Sequence, residues 1–169
     1  MKKITRNKDS YQTRVLDFIN DVLVECPKCK TQAIVKCNGF TFSNGYSNDI
    51  KLVCTHCGYS KSLEQNPDSI LFSSPGHQIV GKHLYIGGAV DPFFHVPLWL
   101  KTNCCGNILW AYNYQHLIFL ESHVESKLRE RNGQEPSNSS LGSRLPKWMT
   151  TKQNRADVIR SIAVLKNKK

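Results

Sequence analysis

Four cysteines arranged in two pairs constrain the fold of this chain more than any other feature. Cys26 and Cys29 form one C-x-x-C pair, Cys54 and Cys57 form a second, and 24 residues separate the two pairs. A C-x-x-C turn lets two thiolates converge on one ion, and Zn²⁺ prefers four such soft ligands in a tetrahedron. We therefore predict that Cys26, Cys29, Cys54 and Cys57 bind one structural Zn²⁺ ion.

Two other interpretations of the cysteine pairs fit less well. A thioredoxin-like redox centre needs a single C-x-x-C in a βαβ context, whereas this chain has two pairs among short β segments. Unrelated buried cysteines would not produce this spacing. Four protein thiolates leave no open coordination position, so we expect the ion to stabilise the fold and not to activate water. Gly58, after the second pair, is expected to adopt a positive φ.

The pattern Cys26-Pro27-x-Cys29 with Cys54-x-x-Cys57-Gly58 and β-rich sequence between them resembles the zinc-ribbon family, specifically the transcription-factor-IIB-type ribbon. The resemblance covers about residues 24–62. It implies a β-structured, non-catalytic module that binds nucleic acid or a protein partner. Segments 91–112 and 145–148 look like the downstream regions of uncharacterised bacterial ribbon-containing proteins, which implies a bacterial source but no function.

Apolar runs alternate with turn signals and predict an α+β fold. Residues 32–37 and 50–54 are predicted strands of the ribbon, and residues 96–101 and 108–112 flank a turn and predict a second β-hairpin. A long helix is predicted after Asn113, with Leu117, Leu120, Val124 and Leu128 inward and its end at Asn132-Gly133, followed by a last helix over 153–166. The predicted class is a β-rich zinc ribbon plus a second β-hairpin packed by C-terminal helices.

The predicted organisation has four segments. Residues 1–23 are an N-terminal helix or extension, with helical spacing over 10–23 although residues 22–24 could equally begin a strand. Residues 24–62 are the zinc ribbon. Residues 63–133 hold an irregular connector with a possible strand at 83–86, the second hairpin and the long helix. Residues 134–169 are a polar loop and a basic C-terminal helix.

The charge of the chain is concentrated at its C-terminal end. The 169 residues carry a net charge of +10, and residues 125–169 contribute eleven basic and four acidic residues, a net of +7. Such asymmetry indicates a polyanionic partner, although a solvated tail would have the same composition. The candidate nucleic-acid-binding residues are Arg129, Arg131, Arg144, Lys147, Trp148, Lys152, Arg155 and Arg160, with Trp148 either stacking on a base or anchoring the last helix on the core.

Three further cysteines are left open by the sequence. Cys37 is most simply a small core residue. Cys104 and Cys105 are either packed in the second hairpin turn or part of a second metal site. A second site would also need Cys37 or histidines such as His77, His83, His95 or His116.

Sequence motifs give little support for catalysis. The chain has no Walker loop, dinucleotide fingerprint, H-E-x-x-H or G-x-S-x-G, and we predict no catalytic residues. It has no apolar run long enough for a membrane span and no secretory signal, so we expect a cytoplasmic protein.

The leading hypothesis is a non-enzymatic zinc-ribbon protein that binds DNA or RNA through its basic C-terminal region. The alternative is a protein-interaction adaptor in a larger bacterial complex, which predicts an exposed apolar patch around Phe93, Phe94 and Trp99. A cryptic enzyme is a third hypothesis.

Overall fold

The computed structural model describes residues 13–37, 50–126 and 140–168. Within these ranges lie antiparallel strands and C-terminal helices, which confirms the predicted α+β class. Two short 3₁₀ helices span Val15–Phe18 and Leu63–Gln65. The strands are β1 (Asp21–Glu25), β2 (Gln32–Cys37), β3 (Ile50–Val53), β4 (Ser60–Ser62), β5 (Ser69–Ser74), β6 (His77–Gly81), β7 (Leu100–Cys104) and β8 (Asn107–Ala111), and the helices are α1 (Tyr114–Glu125), α2 (Leu141–Arg144), α3 (Lys147–Thr150) and α4 (Arg155–Lys166).

The chain divides into two compact units. One, here called the sheet unit, is Asn20–Trp99. The other, the helical unit, joins Met1–Ile19 to Leu100–Lys169. The predicted ribbon segment 24–62 lies inside the sheet unit, and the predicted segment 63–133 is divided between the two units after Trp99.

Strands β1 to β4 form an antiparallel sheet in the order β1-β2-β3-β4. Val22, Val35 and Leu52 lie opposite one another on adjacent strands and are buried, so they form one apolar face. Lys36 and Lys51 are also directly opposed but belong to the exposed face. This alternation explains why the sequence of β2 and β3 could be recognised as strands.

In the described part of 10–23, where the sequence left a helix and the start of a strand both open, the structure has a short helical turn followed by a strand. The helical turn is confined to Val15–Phe18, and the chain enters strand β1 at Asp21. Val22 and Val24 are fully buried in the sheet. Pairing with β2 along the whole of β1 favours the extended form, which the β-branched valines also prefer.

Residues 63–95 contain a hairpin that the sequence did not reveal. Strands β5 and β6 pair around Pro75-Gly76, where Gly76 has a φ of 78°. The possible strand at 83–86 is not formed. Serines at both ends of β5 and glycines in the turn and at the end of β6 resemble a loop in composition, which concealed the strands.

A buried aspartate organises the loop that closes the sheet unit. The carboxylate of Asp91 is fully buried and accepts hydrogen bonds from the backbone N–H groups of Phe93, Phe94 and Val96 at 3.0, 2.8 and 2.7 Å. Burial raises the pKa of this carboxyl, and the three donors oppose that shift. The loop then returns to β1, where the Trp99 N–H donates to the Leu23 carbonyl at 2.9 Å. Asp91 is therefore a structural residue whose oxygens are occupied.

The second predicted hairpin is confirmed in the helical unit, with its strands extended into the predicted turn. Only Cys105 and Gly106 separate β7 from β8, with φ of 52° and 73°. Two consecutive positive φ angles are those of a type I′ turn, whose twist matches that of paired strands. This tight turn leaves Cys104 in a ladder with Asn107.

Helices α1 and α4 pack against each other, and α4 also packs on β7. Asn113 caps the start of α1, because its side chain accepts a hydrogen bond from the His116 N–H. The predicted helix end is wrong: α1 ends at Glu125, and the Ser126 hydroxyl donates to the Ser122 carbonyl at 2.7 Å. The predicted stop at Asn132-Gly133 and the inward position of Leu128 lie outside the described residues.

Helix α4 confirms the predicted last helix, with Val158, Ile162 and Leu165 buried. Lys166 of α4 forms an ion pair with Glu121 of α1. In the described parts of the chain, no helix combines the length and the apolar character needed to cross a membrane.

A neutral histidine lies in the core of the helical unit. His116 stacks on Phe18 with ring centroids 4.7 Å apart, and its Nδ1 accepts a hydrogen bond from the Tyr112 N–H at 3.3 Å. Burial lowers the pKa of His116 to about 3. Near neutral pH this ring is therefore uncharged in the folded chain.

We expect His116 to make the free energy of unfolding depend on pH. The unfolded chain binds a proton at about pH 6.5 and the folded chain does not, so stability is complete above that pH and falls as the pH decreases. Lowering the pH from 7 to 5 should decrease the free energy of unfolding by about 2 kcal/mol through this residue alone. Urea unfolding of wild type and His116→Asn, which retains an acceptor, should therefore show a weaker pH dependence in the variant. Equal pH dependence in both proteins would contradict this role.

Candidate metal centre

Each C-x-x-C pair occupies the turn of a hairpin in the sheet unit. The first lies between β1 and β2, whose last paired residues are Glu25 and Gln32. The second lies between β3 and β4, which are joined through the pair Val53 and Ser60. Because β2 and β3 are neighbours in the sheet, both turns lie at the same end of the sheet. The strand pairing thus brings together cysteines that are more than 20 residues apart.

The first turn is closed by backbone hydrogen bonds across the cysteine pair. The Cys26 carbonyl accepts from the Lys30 N–H at 3.0 Å, and the Cys26 N–H donates to the Thr31 carbonyl at 2.8 Å. Lys30 has a φ of 63°.

The second turn repeats this arrangement with the same distances. The Cys54 carbonyl accepts from the Gly58 N–H at 3.0 Å, and the Cys54 N–H donates to the Tyr59 carbonyl at 2.8 Å. Gly58 has a φ of 71°, which confirms its predicted conformation. A residue with positive φ thus follows each cysteine pair, and in the first turn the position is taken by a lysine.

The four sulfur atoms form a compact cluster. The Sγ atoms of Cys26, Cys29, Cys54 and Cys57 all lie within 4.8 Å of one another. Cys26 and Cys57 are 3.6 Å apart at sulfur, and Cys29 and Cys54 are 3.7 Å apart. A tetrahedron with metal–sulfur bonds of about 2.3 Å has edges of about 3.8 Å. These four cysteines could therefore hold one metal ion.

Local hydrogen bonds favour thiolates at two of the four positions. The Thr31 hydroxyl and backbone N–H lower the pKa of Cys29 to about 5. The Cys57 N–H lowers the pKa of Cys54, with burial opposing it and the His56 N–H adding to it. These hydrogen bonds stabilise negative charge on the sulfurs of Cys29 and Cys54 even without a bound cation. Such an environment favours the binding of a cation.

At Cys57, the closeness of the other three sulfurs disfavours the thiolate form. The Tyr59 backbone N–H lowers the pKa of Cys57, but burial and the three other cysteines raise it by more, to about 12. Four sulfurs at this separation cannot all carry a negative charge without a counter-cation. The cluster is chemically suited to a divalent metal.

Thr31 is a residue of the site that sequence reasoning missed. Its hydroxyl lies 3.0 Å from the Cys29 Sγ and 3.8 Å from the Cys54 Sγ, so it contacts one sulfur from each pair. A hydroxyl-bearing residue two positions after the second cysteine of a pair is a weak signal in sequence alone. Hydrogen bonds to metal-bound thiolates orient the ligands.

Comparisons of this chain with family models, with curated proteins and with solved structures gave no match. The described fold and the four-cysteine cluster are therefore the observations on which a functional proposal rests.

The remaining cysteines do not extend the cluster. Cys37 is buried and its Sγ lies 3.7 Å from the Val35 carbonyl, and burial raises the pKa of its thiol well above the ordinary value. Cys104 and Cys105 have their sulfurs 3.7 Å apart. Among residues 13–37, 50–126 and 140–168, the only group of three or more potential ligands is the cluster already described.

The basic candidate residues that the structure describes all lie in the helical unit. Arg144, Lys147, Lys152 and Arg160 are exposed and Arg155 is half-buried. Arg160 forms an ion pair with Asp157 at 3.2 Å. Arg129 and Arg131 lie outside the described residues.

Trp148, for which the sequence left stacking and anchoring open, lies next to a buried methionine. Trp148 is half-buried and its carbonyl accepts from the Asn154 side chain at 2.9 Å. Met149 is buried, at 5% exposed. The apolar anchor of α3 therefore includes Met149, which sequence reasoning did not single out.

The exposed apolar patch expected for an adaptor is not formed where the sequence placed it. Phe93 and Trp99 are 2% and 7% exposed, and Phe94 is half-buried. Phe93 and Trp99 are instead buried, as large aromatic side chains commonly are.

Proposed function

We propose that this chain is a zinc-ribbon protein in which one Zn²⁺ ion, bound by Cys26, Cys29, Cys54 and Cys57, stabilises the sheet unit. The observation that carries this proposal is the sulfur cluster, in which the Cys26–Cys57 and Cys29–Cys54 sulfur distances of 3.6 and 3.7 Å match a tetrahedral zinc–thiolate site. Four thiolates favour Zn²⁺ over Mg²⁺ or Ca²⁺, which prefer oxygen. The role of zinc here is structural, because a site closed by four protein ligands has no position for substrate.

We further propose that the protein binds DNA or RNA without enzymatic activity, through the basic C-terminal region. Support comes from the net charge of +7 in residues 125–169 and from the exposure of Arg144, Lys147 and Lys152. Such side chains bind phosphates and release condensed counterions, which gives affinity without base preference.

Three cations support this assignment by their position near the start of α4. Lys147 begins α3, Lys152 follows it, and Arg155 is the first residue of α4. Among the described residues no acidic side chain forms an ion pair with any of these three. The N-terminus of α4 carries partial positive charge, of which Asp157 in its first turn offsets a part, and three cations close to it in sequence add to the attraction for an anion. A phosphate backbone supplies that anion.

The proposal is tested by fluorescence anisotropy with the zinc-loaded full chain and labelled random-sequence DNA and RNA, single- and double-stranded. We expect a dissociation constant in the micromolar range or lower. The logarithm of the association constant should fall linearly with the logarithm of the salt concentration. The slope gives the number of phosphates contacted. An absence of binding at low salt for all four nucleic acids would contradict the proposed nucleic-acid function and leave the zinc proposal intact.

A further inference from the structure

Two adjacent thiols converge at the turn of the β7–β8 hairpin. Consecutive residues of a strand project from opposite faces, but Cys105 lies in the turn with a φ of 52°, and its sulfur is 3.7 Å from the sulfur of Cys104. Cys104 is 5% exposed, whereas Cys105 is exposed to solvent. The pair therefore offers one accessible thiol with a second, buried thiol directly beside it.

The hairpin does not need a thiol at position 105. The first central residue of a type I′ turn has a positive φ, where Asn, Asp and Gly are favoured. Strands β7 and β8 pair in unbroken register from Leu100 with Ala111 to Cys104 with Asn107. The Asn107 side chain closes the turn by donating a hydrogen bond to the Cys105 carbonyl at 2.9 Å. The two sulfurs lie outside the four-cysteine cluster and are available for other chemistry.

A disulfide between these two thiols would be strained. Neighbouring Cα atoms are about 3.8 Å apart, below the range of about 4.4 to 6.8 Å that is usual across a disulfide. The sulfurs would also have to approach from 3.7 Å to about 2.05 Å. Strain of this kind makes a disulfide easy to reduce, so we expect the pair to persist as two thiols.

A single atom bonded to both sulfurs fits the pair without this movement. Two bonds of about 2.3 Å at a tetrahedral angle span about 3.8 Å, close to the observed 3.7 Å, whereas a linear ion with such bonds needs about 4.6 Å. Zn²⁺ takes four ligands, and in the part of the chain that the structure describes no third His, Cys, Asp or Glu completes a metal site with Cys104 and Cys105. The pair suits a bent, thiophilic centre that needs only two sulfurs.

We propose that Cys104 and Cys105 form a dithiol site for trivalent arsenic. An organic arsenical R–As=O condenses with two thiols: two S–As bonds form, and the oxygen leaves as water with both thiol protons. Arsenic stays trivalent, so the step needs no oxidant or reductant. The bound arsenic is pyramidal, which gives the bent S–As–S angle, and the group R supplies its third substituent. The first bond forms at the exposed Cys105 and the second at Cys104.

The closeness of the second thiol makes the site selective. After the bond to Cys105 has formed, the bond to Cys104 is intramolecular, and linkage of this kind raises affinity by about 100- to 10,000-fold over a single contact. Cys37, the other cysteine outside the cluster, is buried with its sulfur near the Val35 carbonyl and offers one thiol. A single thiol of this kind cannot hold the arsenical against a monothiol in solution.

The test is titration of the zinc-loaded full chain with phenylarsine oxide in the presence of a monothiol reductant, followed by native mass spectrometry and zinc analysis. We expect one arsenical per chain, a mass increase equal to the arsenical less one water, and no loss of zinc. Cys105→Asn keeps a residue suited to the turn and should raise the dissociation constant at least about 100-fold. The matched control Cys37→Ala should bind as the wild type does.

Circular dichroism and zinc content check that both variants fold. Wild-type chain that takes up no arsenical would overturn the inference, and so would unchanged affinity in Cys105→Asn. Uptake accompanied by equal loss of zinc in both proteins would place the arsenical on the four-cysteine cluster and overturn it as well. The expected difference of one arsenical per chain between wild type and Cys105→Asn holds whether or not zinc fills that cluster, so this inference and the zinc proposal fail separately.

Discussion

Cys26→Ser and Cys57→Ser should each lose the bound metal and the thermal unfolding transition of the sheet unit. Each substitution leaves three thiolates in a cluster whose sulfurs lie within 4.8 Å of one another. Structural zinc in small domains supplies about 10 to 16 kcal/mol of apparent binding free energy, which exceeds the stability of most domains. Metal analysis and calorimetry measure both losses.

The matched control for this experiment is Cys105→Ser, which changes an exposed cysteine outside the cluster. Its metal content and its melting temperature should equal those of the wild type. A Cys26→Ser, Cys57→Ser double variant that remained folded without metal, at unchanged melting temperature, would refute the assigned role of the cluster.

Neutralising Lys147, Lys152 and Arg155 together to glutamine should weaken nucleic-acid binding by about 100-fold at 0.1 M salt or below. Each phosphate contact contributes about 0.9 to the salt slope on duplex DNA, so the slope should fall by nearly three. Point substitutions are preferable to a deletion of α4, because the deletion would also remove the buried side chains of Val158, Ile162 and Leu165. Anisotropy across a salt series measures both quantities.

The control with equal loss of charge is the triple variant Lys36→Gln, Lys51→Gln, Lys61→Gln in the sheet unit. It lowers the net charge by the same three units, so any effect of total charge alone appears in both triple variants. We expect the control to keep most of the salt slope. An equal decrease in slope for the two variants would show that the basic C-terminal region has no special part in binding.

The cysteine pairs were the most predictive part of the sequence because the chemistry of the site fixes both residue type and spacing. Two C-x-x-C turns between short strands have few solutions other than a shared metal, and the four sulfurs do converge. Helix α4 was also predictable, since Val158, Ile162 and Leu165 repeat at helical spacing and are buried.

Other features could not be predicted because tertiary contacts decide them. Val22 has the spacing of a helix face and the side chain of a strand, and pairing with Val35 settles the choice. Strands β5 and β6 have no buried face, so the periodicity that marks a half-buried strand is absent. The early end of α1 at Glu125 coincides with an extended backbone at Ser126, which a hydrophobic pattern does not reveal.

X-ray absorption at the zinc edge, combined with elemental analysis of the purified full chain, tests the central claim most directly. The account predicts one zinc per chain, surrounded by four sulfur atoms at about 2.3 Å with no nitrogen or oxygen ligand. A chain that holds no zinc after purification and zinc reconstitution under reducing conditions would contradict it. A zinc environment with fewer than four sulfurs would contradict it as well, because the cluster of Cys26, Cys29, Cys54 and Cys57 would then not be the site.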